Sequence, residues 1–456
     1  PTYSFIEGKI VGGDAAVAQA KKTGQFNYDA AIPGLKALDK YTLQITLTRP
    51  DYNFPYILAY ATFSGTAREV VEFYGDRIAQ HPVGTGPYQL SKYVPRSRIE
   101  LVANPKYRGF TWNFKSTGSS WDNRLVKEMQ GKKMPQIGVI DIQVMEEGQS
   151  RWLSFSKDEV DLFQLDGELT VQALQNGKLK PELVKKGVQL SRIVDPSLDY
   201  HYWNMQNPVV GGLSKEKIAL RRAIAMAFSA DNYINILQKG DAKKLQAPIP
   251  EGVVGYDPNY RSSIPYSVKA ANLLLDRYQY KVGTNGWRTL PNGKPLVIEM
   301  TVSGSSLRSQ QQAEFWKKIL DGLKIQMTTQ SLPFSEALKL EKQCKTMFKA
   351  SAWIADYPDA DNFMQLFYGK NINVTNNGCI KIPEFDRLYE QTQNMVPGPE
   401  RDAIYRKVSR ILEVYMPVQV IGARYRNILA QPRVIGFKKH PILPAEWMYI
   451  DIDMKK

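Results

Sequence analysis

The chain has 456 residues, which at roughly 150 residues per domain points to about three domains and a large core. Hydrophobic residues make up 43% and charged residues 23%, a globular balance that excludes wholesale disorder and fibrous repeats. The formal charge is +15, but the basic residues come as pairs such as Lys21-Lys22, Lys132-Lys133 and Lys438-Lys439. No basic arm interleaved with aromatics appears, so a solvated basic surface explains the charge better than nucleic acid does.

Residues 14–22 have helical composition, and Thr42 to Leu47 alternate with the period of a strand. A helix is predicted over 67–77, before the turn-forming run His81-Pro82-Val83-Gly84-Thr85-Gly86-Pro87. Residues 88–93 and 98–103 alternate around Pro95-Arg96-Ser97 as a hairpin. Residues 137–144 read as a strand, 150–155 as a helix and 157–162 as a strand, the alternation of an α/β layer structure. The aromatic run from Asp199 to Asn207 is strand-like and marks a crossing between domains. One helix is predicted over 215–237 with Ser214 as its N-cap. Helices at 267–278, 310–323 and 335–342 then alternate with strands at 295–302 and 324–328, and the spans 389–395 and 401–415 are helical. The tail over 429–450 reads as strands and turns, and no uninterrupted apolar run approaches the ~18 residues that span a bilayer.

Chemistry is sparsely signalled. There is no nucleophile elbow, Walker-type phosphate loop or His-Glu-x-x-His pair, and three histidines, His81, His201 and His440, leave few bases. Gly84-Thr85-Gly86-Pro87 is a turn, because the proline removes a backbone donor that a phosphate cradle needs. Cys344 and Cys379 are too few for a zinc site. They can close one disulfide loop or stay reduced in a core, and composition does not separate the two.

The most unusual segment is Trp353-Ile354-Ala355-Asp356-Tyr357-Pro358-Asp359-Ala360-Asp361-Asn362-Phe363. A carboxylate at the end of an apolar strand sits where open α/β sheets place their ligands, and it can accept charge-assisted hydrogen bonds from an ammonium group. The competing account is an Asx-Pro turn, with Asp359 or Asp361 capping the next helix. The aromatic clusters at Tyr200, Tyr202 and Trp203 and at Trp353 and Tyr357 suit either a tolerant pocket or a core.

Several segments, in order, resemble the family 5 extracellular solute-binding proteins of ABC importers, the oligopeptide- and dipeptide-binding group. They are Pro82-Val83-Gly84-Thr85-Gly86-Pro87-Tyr88 with Asn104-Pro105-Lys106-Tyr107; the residues from Lys157 to Leu162, without the family's glycine; and Leu220-Arg221-Arg222-Ala223-Ile224-Ala225-Met226-Ala227 with Asp231. Ala247-Pro248-Ile249-Pro250 with Gly255-Tyr256, Gly293-Lys294-Pro295-Leu296, and the run from Trp353 to Phe363 complete the series. The resemblance covers about residues 40 to 450. It implies the α/β two-lobed periplasmic-binding-protein fold (Venus flytrap, type II), with an interlobe cleft and a remnant of a small extra domain. Residues 1–82 would be that remnant, 83–198 lobe I with 432–456 returning to it, and 199–431 lobe II.

The resemblance also implies roles. Asp356 would pair with the α-ammonium of a peptide ligand, beside Trp353 and Tyr357, and Tyr202, Trp203 and Asn204 would line the cleft. Lys345 and Lys349 are the nominees for a peptide carboxylate, since no arginine stands at a matching position. A bridge between Cys344 and Cys379 would fit the oxidising periplasm, or the outer face of the cytoplasmic membrane if the protein is lipid-anchored. The expected partner is an ABC permease of the inner membrane, with no cofactor, metal or nucleic acid and with the protein a monomer. Family members carry a further N-terminal segment that includes a signal peptide, so a separate N-terminal fragment of the same protein is a further expected partner. The alternatives are a non-peptide small solute, or a cell-surface hydrolase that uses two of Asp356, Asp359 and Asp361.

Overall fold

The structure is a computed structural model that describes residues 2–165, 167–304 and 306–455. The chain divides into two units, Pro1–Thr62 with Pro196–Arg424, and Phe63–Asp195 with Tyr425–Lys456. Backbone pairing explains the positions of the two later breaks relative to those suggested by sequence at 198 and 431. The carbonyl of Pro196 accepts from the amide of Ala355 at 2.8 Å and Ser197 pairs with Ile354, so the chain has joined the first unit's sheet by residue 196. Tyr425 pairs with Val194, which belongs to the second unit.

In the first unit Ser197–Trp203 is a central strand, antiparallel to residues 418–422 on one side and to Phe348–Ile354 on the other. Val297–Ser303 joins Phe348–Ile354 in parallel, and Gln326–Leu332 adds a further parallel strand. Parallel neighbours need crossovers, which the helices Leu307–Gly322 and Phe334–Lys342 supply. All seven residues of Ser197–Trp203 are buried, as a strand covered on both faces requires. The core around it includes Trp203, Leu220, Phe228, Ile298, Met300, Trp316, Leu320 and Phe348. Side chains of this size contribute roughly 1.5–3 kcal/mol each on burial.

The single helix predicted over 215–237 is two, Lys215–Ala227 and Ala230–Leu237. The break arises because Phe228 turns into the core to stack on Trp316 at 5.0 Å, while the hydroxyl of Ser229 caps the second helix by accepting from Asn232 N at 3.2 Å. Ser214 does precede the first helix, but its hydroxyl donates to Glu216 instead of accepting an amide. The N-terminal part of this unit carries the helix Gly13–Thr23 and the hairpin of Leu35–Asp39 with Thr42–Ile45, and it buries Phe54 and Ile57.

The second unit contains the predicted hairpin, Tyr88–Val94 with Arg98–Ala103, extended by Val139–Gln143. In its other sheet, residues 425–430 lie between Gln189–Val194 and Leu162–Leu165. The strand predicted over 157–162 starts only at Leu162, because Asp158 sits in the left-handed region at φ 68° and forms a turn. Phe155, Phe163, Leu165 and Leu429 pack the core behind that sheet. Among the described residues no helix is long and apolar enough to cross a membrane.

Candidate functional site

Strand Phe348–Ile354 pairs residue for residue with Ser197–Trp203, and it ends where the chain reaches Asp356. The following turn is fixed from three sides. The amide of Val254 donates to Pro358 O at 2.9 Å and that of Ala360 to Val254 O at 2.8 Å, which holds the loop around residue 254 against the Asp-rich segment. Gly255 makes the approach possible: its φ is +93°, and a Cβ there would stand 2.7 Å from that of Ala360. The carboxylate of Asp359 pairs with the Arg401 guanidinium at 2.6 Å with both side chains 2% exposed, while its other oxygen accepts from Asp361 N at 2.9 Å.

Within this frame Asn362, fully buried, ties two side chains together. Its Oδ1 accepts from the Trp353 indole N–H at 2.9 Å and from Asp356 N at 3.1 Å, and its Nδ2 donates to Asp356 Oδ2 at 3.2 Å. Both partners of Oδ1 are pure donors, which sets the orientation of the carboxamide. Burial raises the Asp356 carboxyl above the ordinary carboxylate range, and the hydrogen bond from Asn362 works against that rise. Among the described residues no cation pairs with Asp356, and its Oδ1 makes no hydrogen bond. The site is a half-buried carboxylate with one oxygen hydrogen-bonded to Asn362 and the other without a hydrogen bond among the described residues.

The other aspartates of the segment are committed. Asp361 accepts from the hydroxyls of Tyr357 and Tyr389, each at 2.6 Å, while Asp359 holds Arg401 with one oxygen and with the other accepts from the amide of Asp361 at the start of the next helix, the Asx turn of the competing account. The N-cap residue of the short helix Asp361–Met364 is Ala360, which has no side-chain acceptor to cap it. Tyr357 is buried and lines a cavity of about 530 Å³ in the same unit, together with Asp361, Tyr389 and Arg401. Neither Asp356 nor Trp353 lines that cavity, so Tyr357 does not share a wall with them.

The remaining predicted residues lie at the opposite end of the strand pair. Trp203, 1% exposed, stacks on Phe348 at 4.1 Å in the core, and the hydroxyl of Tyr202 bonds to that of Thr346 at 3.1 Å. Asn204 donates to Cys344 O at 2.6 Å and accepts from Gln206 N at 2.9 Å. The three serve packing and turn formation, the alternative that the sequence left open for the aromatic cluster. The Cys344–Cys379 disulfide closes the same corner, where Met205 N also donates to Gly378 O at 2.8 Å. Lys349, the other nominee for a peptide carboxylate, is 7% exposed and its ammonium is already paired with Glu341 at 2.7 Å. Lys345 is exposed, but the strand Phe348–Ile354 that separates it from Asp356 is about 20 Å long, more than a di- or tripeptide spans. Asn362 was missed by the sequence reading, since nothing in its spacing from Trp353 and Asp356 marks it. Among the described residues no group of three His, Cys, Asp or Glu side chains is placed to hold a metal ion.

A mixed sheet built from crossover units, presenting an unpaired carboxylate at a strand end, defines a ligand-binding α/β protein. The chain belongs to family 5 of the bacterial extracellular solute-binding proteins: residues 13–374 match the family model described as "Bacterial extracellular solute-binding proteins, family 5 Middle". It is 24% identical over 413 residues to the periplasmic oligopeptide-binding protein OppA of Salmonella typhimurium, covering 89% of this chain and 67% of that one. To the oligopeptide-binding protein OppA of Bacillus subtilis it is 23% identical over 411 residues, with 89% and 67% covered. Among solved structures it is similar to the periplasmic binding protein DppA of Helicobacter pylori in complex with the peptide STSA, with a TM-score of 0.72, 20% identity and coverage of 97% of this chain and 80% of that one. The likeness establishes the periplasmic-binding-protein fold.

Proposed function

We propose that the protein captures peptides outside the cytoplasmic membrane, in the periplasm, and delivers them to an ABC permease without chemical conversion. The observation that carries this reading is the Asp356 carboxylate, desolvated, held by a buried Asn362 and left without a cation. A peptide α-ammonium supplies the missing charge, and a desolvated pair of this kind is stronger than one in open water. The names of the relatives, oligopeptide-binding proteins, support the ligand class. The fate of the other carboxylates of the segment supports the reading without chemistry. An acid/base pair needs two available groups facing each other across roughly 5–10 Å, and Asp359 and Asp361 are occupied by Arg401 and by two tyrosines.

The test is to purify the protein from its native host, denature it and identify the released small molecules by mass spectrometry. A ladder of mixed short peptides is the expected result. A single non-peptide compound would keep the fold and overturn the ligand class.

A further inference from the structure

The second unit contains an open cavity of about 590 Å³, lined by none of the residues around Asp356. Its size falls within the roughly 300–1,000 Å³ of small-molecule pockets. Three pieces of chain build it. The strand pair Phe110–Thr111 with Lys133–Met134 is prolonged by Trp112, whose amide donates to Lys132 O at 2.8 Å. Helix Ser120–Met129 contributes Asp122, Leu125 and Val126, which are three and four residues apart and therefore share one face. The third piece is the chain between Gly436 and Ile450.

One wall is aromatic and held in place by its own contacts. The Trp112 indole N–H donates to Tyr449 O at 3.2 Å, and the Phe114 ring stands edge-to-face with Trp112 at 5.0 Å and with Tyr449 at 6.0 Å. Phe114 nevertheless stays 49% exposed. The carboxylates of the lining are matched internally, Asp122 by Lys438 at 2.8 Å and Glu446 by Lys439 at 2.5 Å. Lys439 is 3% exposed and also donates to the Leu443 carbonyl, so it braces the segment. His440 Nδ1 accepts from the amides of Ile442 and Leu443, each at 3.1 Å, so the neutral ring has only an N–H to offer. Lys115 makes no ion pair among the described residues, which leaves the lining one uncompensated positive charge. We infer that this cavity is a second binding site, independent of the peptide reading, for an amphiphilic anion. A rigid apolar ring body packs on Phe114 and Tyr449, and its carboxylate or sulfonate lies toward Lys115. A cation of the same shape meets no unmatched carboxylate in this lining.

The experiment compares pyrenebutanoate with pyrenebutyltrimethylammonium, which share a ring system and differ in the sign of the head group, by fluorescence titration at neutral pH and low salt. Wild type is expected to bind the anion saturably and at least about fivefold more tightly than the cation. In Lys115→Glu that preference should shrink about threefold or more. Lys318→Glu, the same charge reversal on an exposed lysine of the first unit, should leave it near the wild-type value. Phe114→Ala should weaken both probes severalfold and leave their ratio unmoved. Equal affinity of wild type for the two probes would overturn the inference, and that comparison needs no variant to fold. Equal effects of the two lysine reversals, or unchanged affinity in Phe114→Ala, would overturn it as well. Asp356→Ala should bind the anion as wild type does; loss of binding there would put the probe in the peptide site and end the case for a second one.

Discussion

The indole N–H of Trp316 donates to Nε2 of His201 at 3.0 Å, in the middle of the first unit's core. The imidazole is fully buried, stacked on Phe348 at 5.5 Å and edged by Phe228, Tyr233 and Trp316. Because Nε2 accepts, the proton of the neutral ring sits on Nδ1, which has no partner among the described residues. Burial, aided by the charge of Lys349, pushes the imidazole pKa from 6.5 down to about 3.

A pH dependence of stability follows. Below about pH 6.5 the unfolded chain takes up a proton at His201 that the folded chain refuses until about pH 3, so the unfolded state binds more protons across that window. Folding stability should therefore fall with falling pH by up to about 1.4 kcal/mol per pH unit from this group alone. Urea midpoints of wild type and His201→Gln between pH 7 and pH 5 isolate the contribution. Parallel slopes for the two proteins would rule it out.

Removing Arg401 should be far more damaging than its contact with one carboxylate suggests. In Arg401→Met the Asp359 carboxylate is left buried and unpaired, which costs about 3–5 kcal/mol. The double variant Asp359→Asn/Arg401→Met keeps the oxygen that accepts from Asp361 N and removes the stranded charge, so it should recover part of the loss. Equal denaturation midpoints for the single and double variants would contradict this account.

Reduction should weaken the fold without touching the proposed ligand site. The Cys344–Cys379 bridge closes a loop of sequence separation 35, for which loop-closure entropy amounts to about 3–4 kcal/mol. The Cys344→Ser/Cys379→Ser variant is expected to unfold at lower urea but to retain peptides as wild type does. A large loss of retention at a temperature where the variant is still folded would place the bridge in the binding machinery.

Binding itself should depend on Asp356 and on pH in a defined sense. Asp356→Ala is expected to cost about 2–5 kcal/mol of peptide affinity, the range for truncating one partner of a desolvated charge pair. Because burial raises the Asp356 carboxyl, wild-type affinity should fall on acidification somewhat above the usual carboxylate range, and on the alkaline side as the peptide amine loses its proton near pH 8. Calorimetric titration from pH 4 to pH 9 would show the resulting plateau. Affinity independent of pH at both ends would remove the ion pair from the mechanism.

Most helices and strands were legible because periodicity reports which face is buried, and the Asp-rich segment stood out because an apolar strand ending in carboxylates is rare. The break at Phe228 was not legible: the run from Lys215 to Leu237 keeps a helical pattern, and only the stacking of Phe228 on Trp316, a contact distant in sequence, ends the helix. Asn362 is hidden for a different reason: its partners Trp353 and Asp356 are near in sequence, but only the conformation of the turn between them brings the side chains together. Tyr202 and Trp203 show the opposite failure, since aromatic composition alone does not say whether a ring meets solvent or a core, and Phe348 decides it from another strand.

The strand Val418–Ala430 has a consequence for the order in which the protein can be made. Leu162 to Leu165 and Gln189 to Val194 find their sheet partner only in residues 425–430, although most of the second unit precedes the first unit's main segment along the chain. A growing polypeptide thus makes residues 1–62 of the first unit, then most of the second, then the main segment of the first, and returns to the second only from Tyr425. Contacts of such sequence separation form late and slowly. Until residues 425–430 are made the nascent chain keeps those sheet edges unpaired, a state that favours handling by chaperones and delays commitment of the second unit to its folded form.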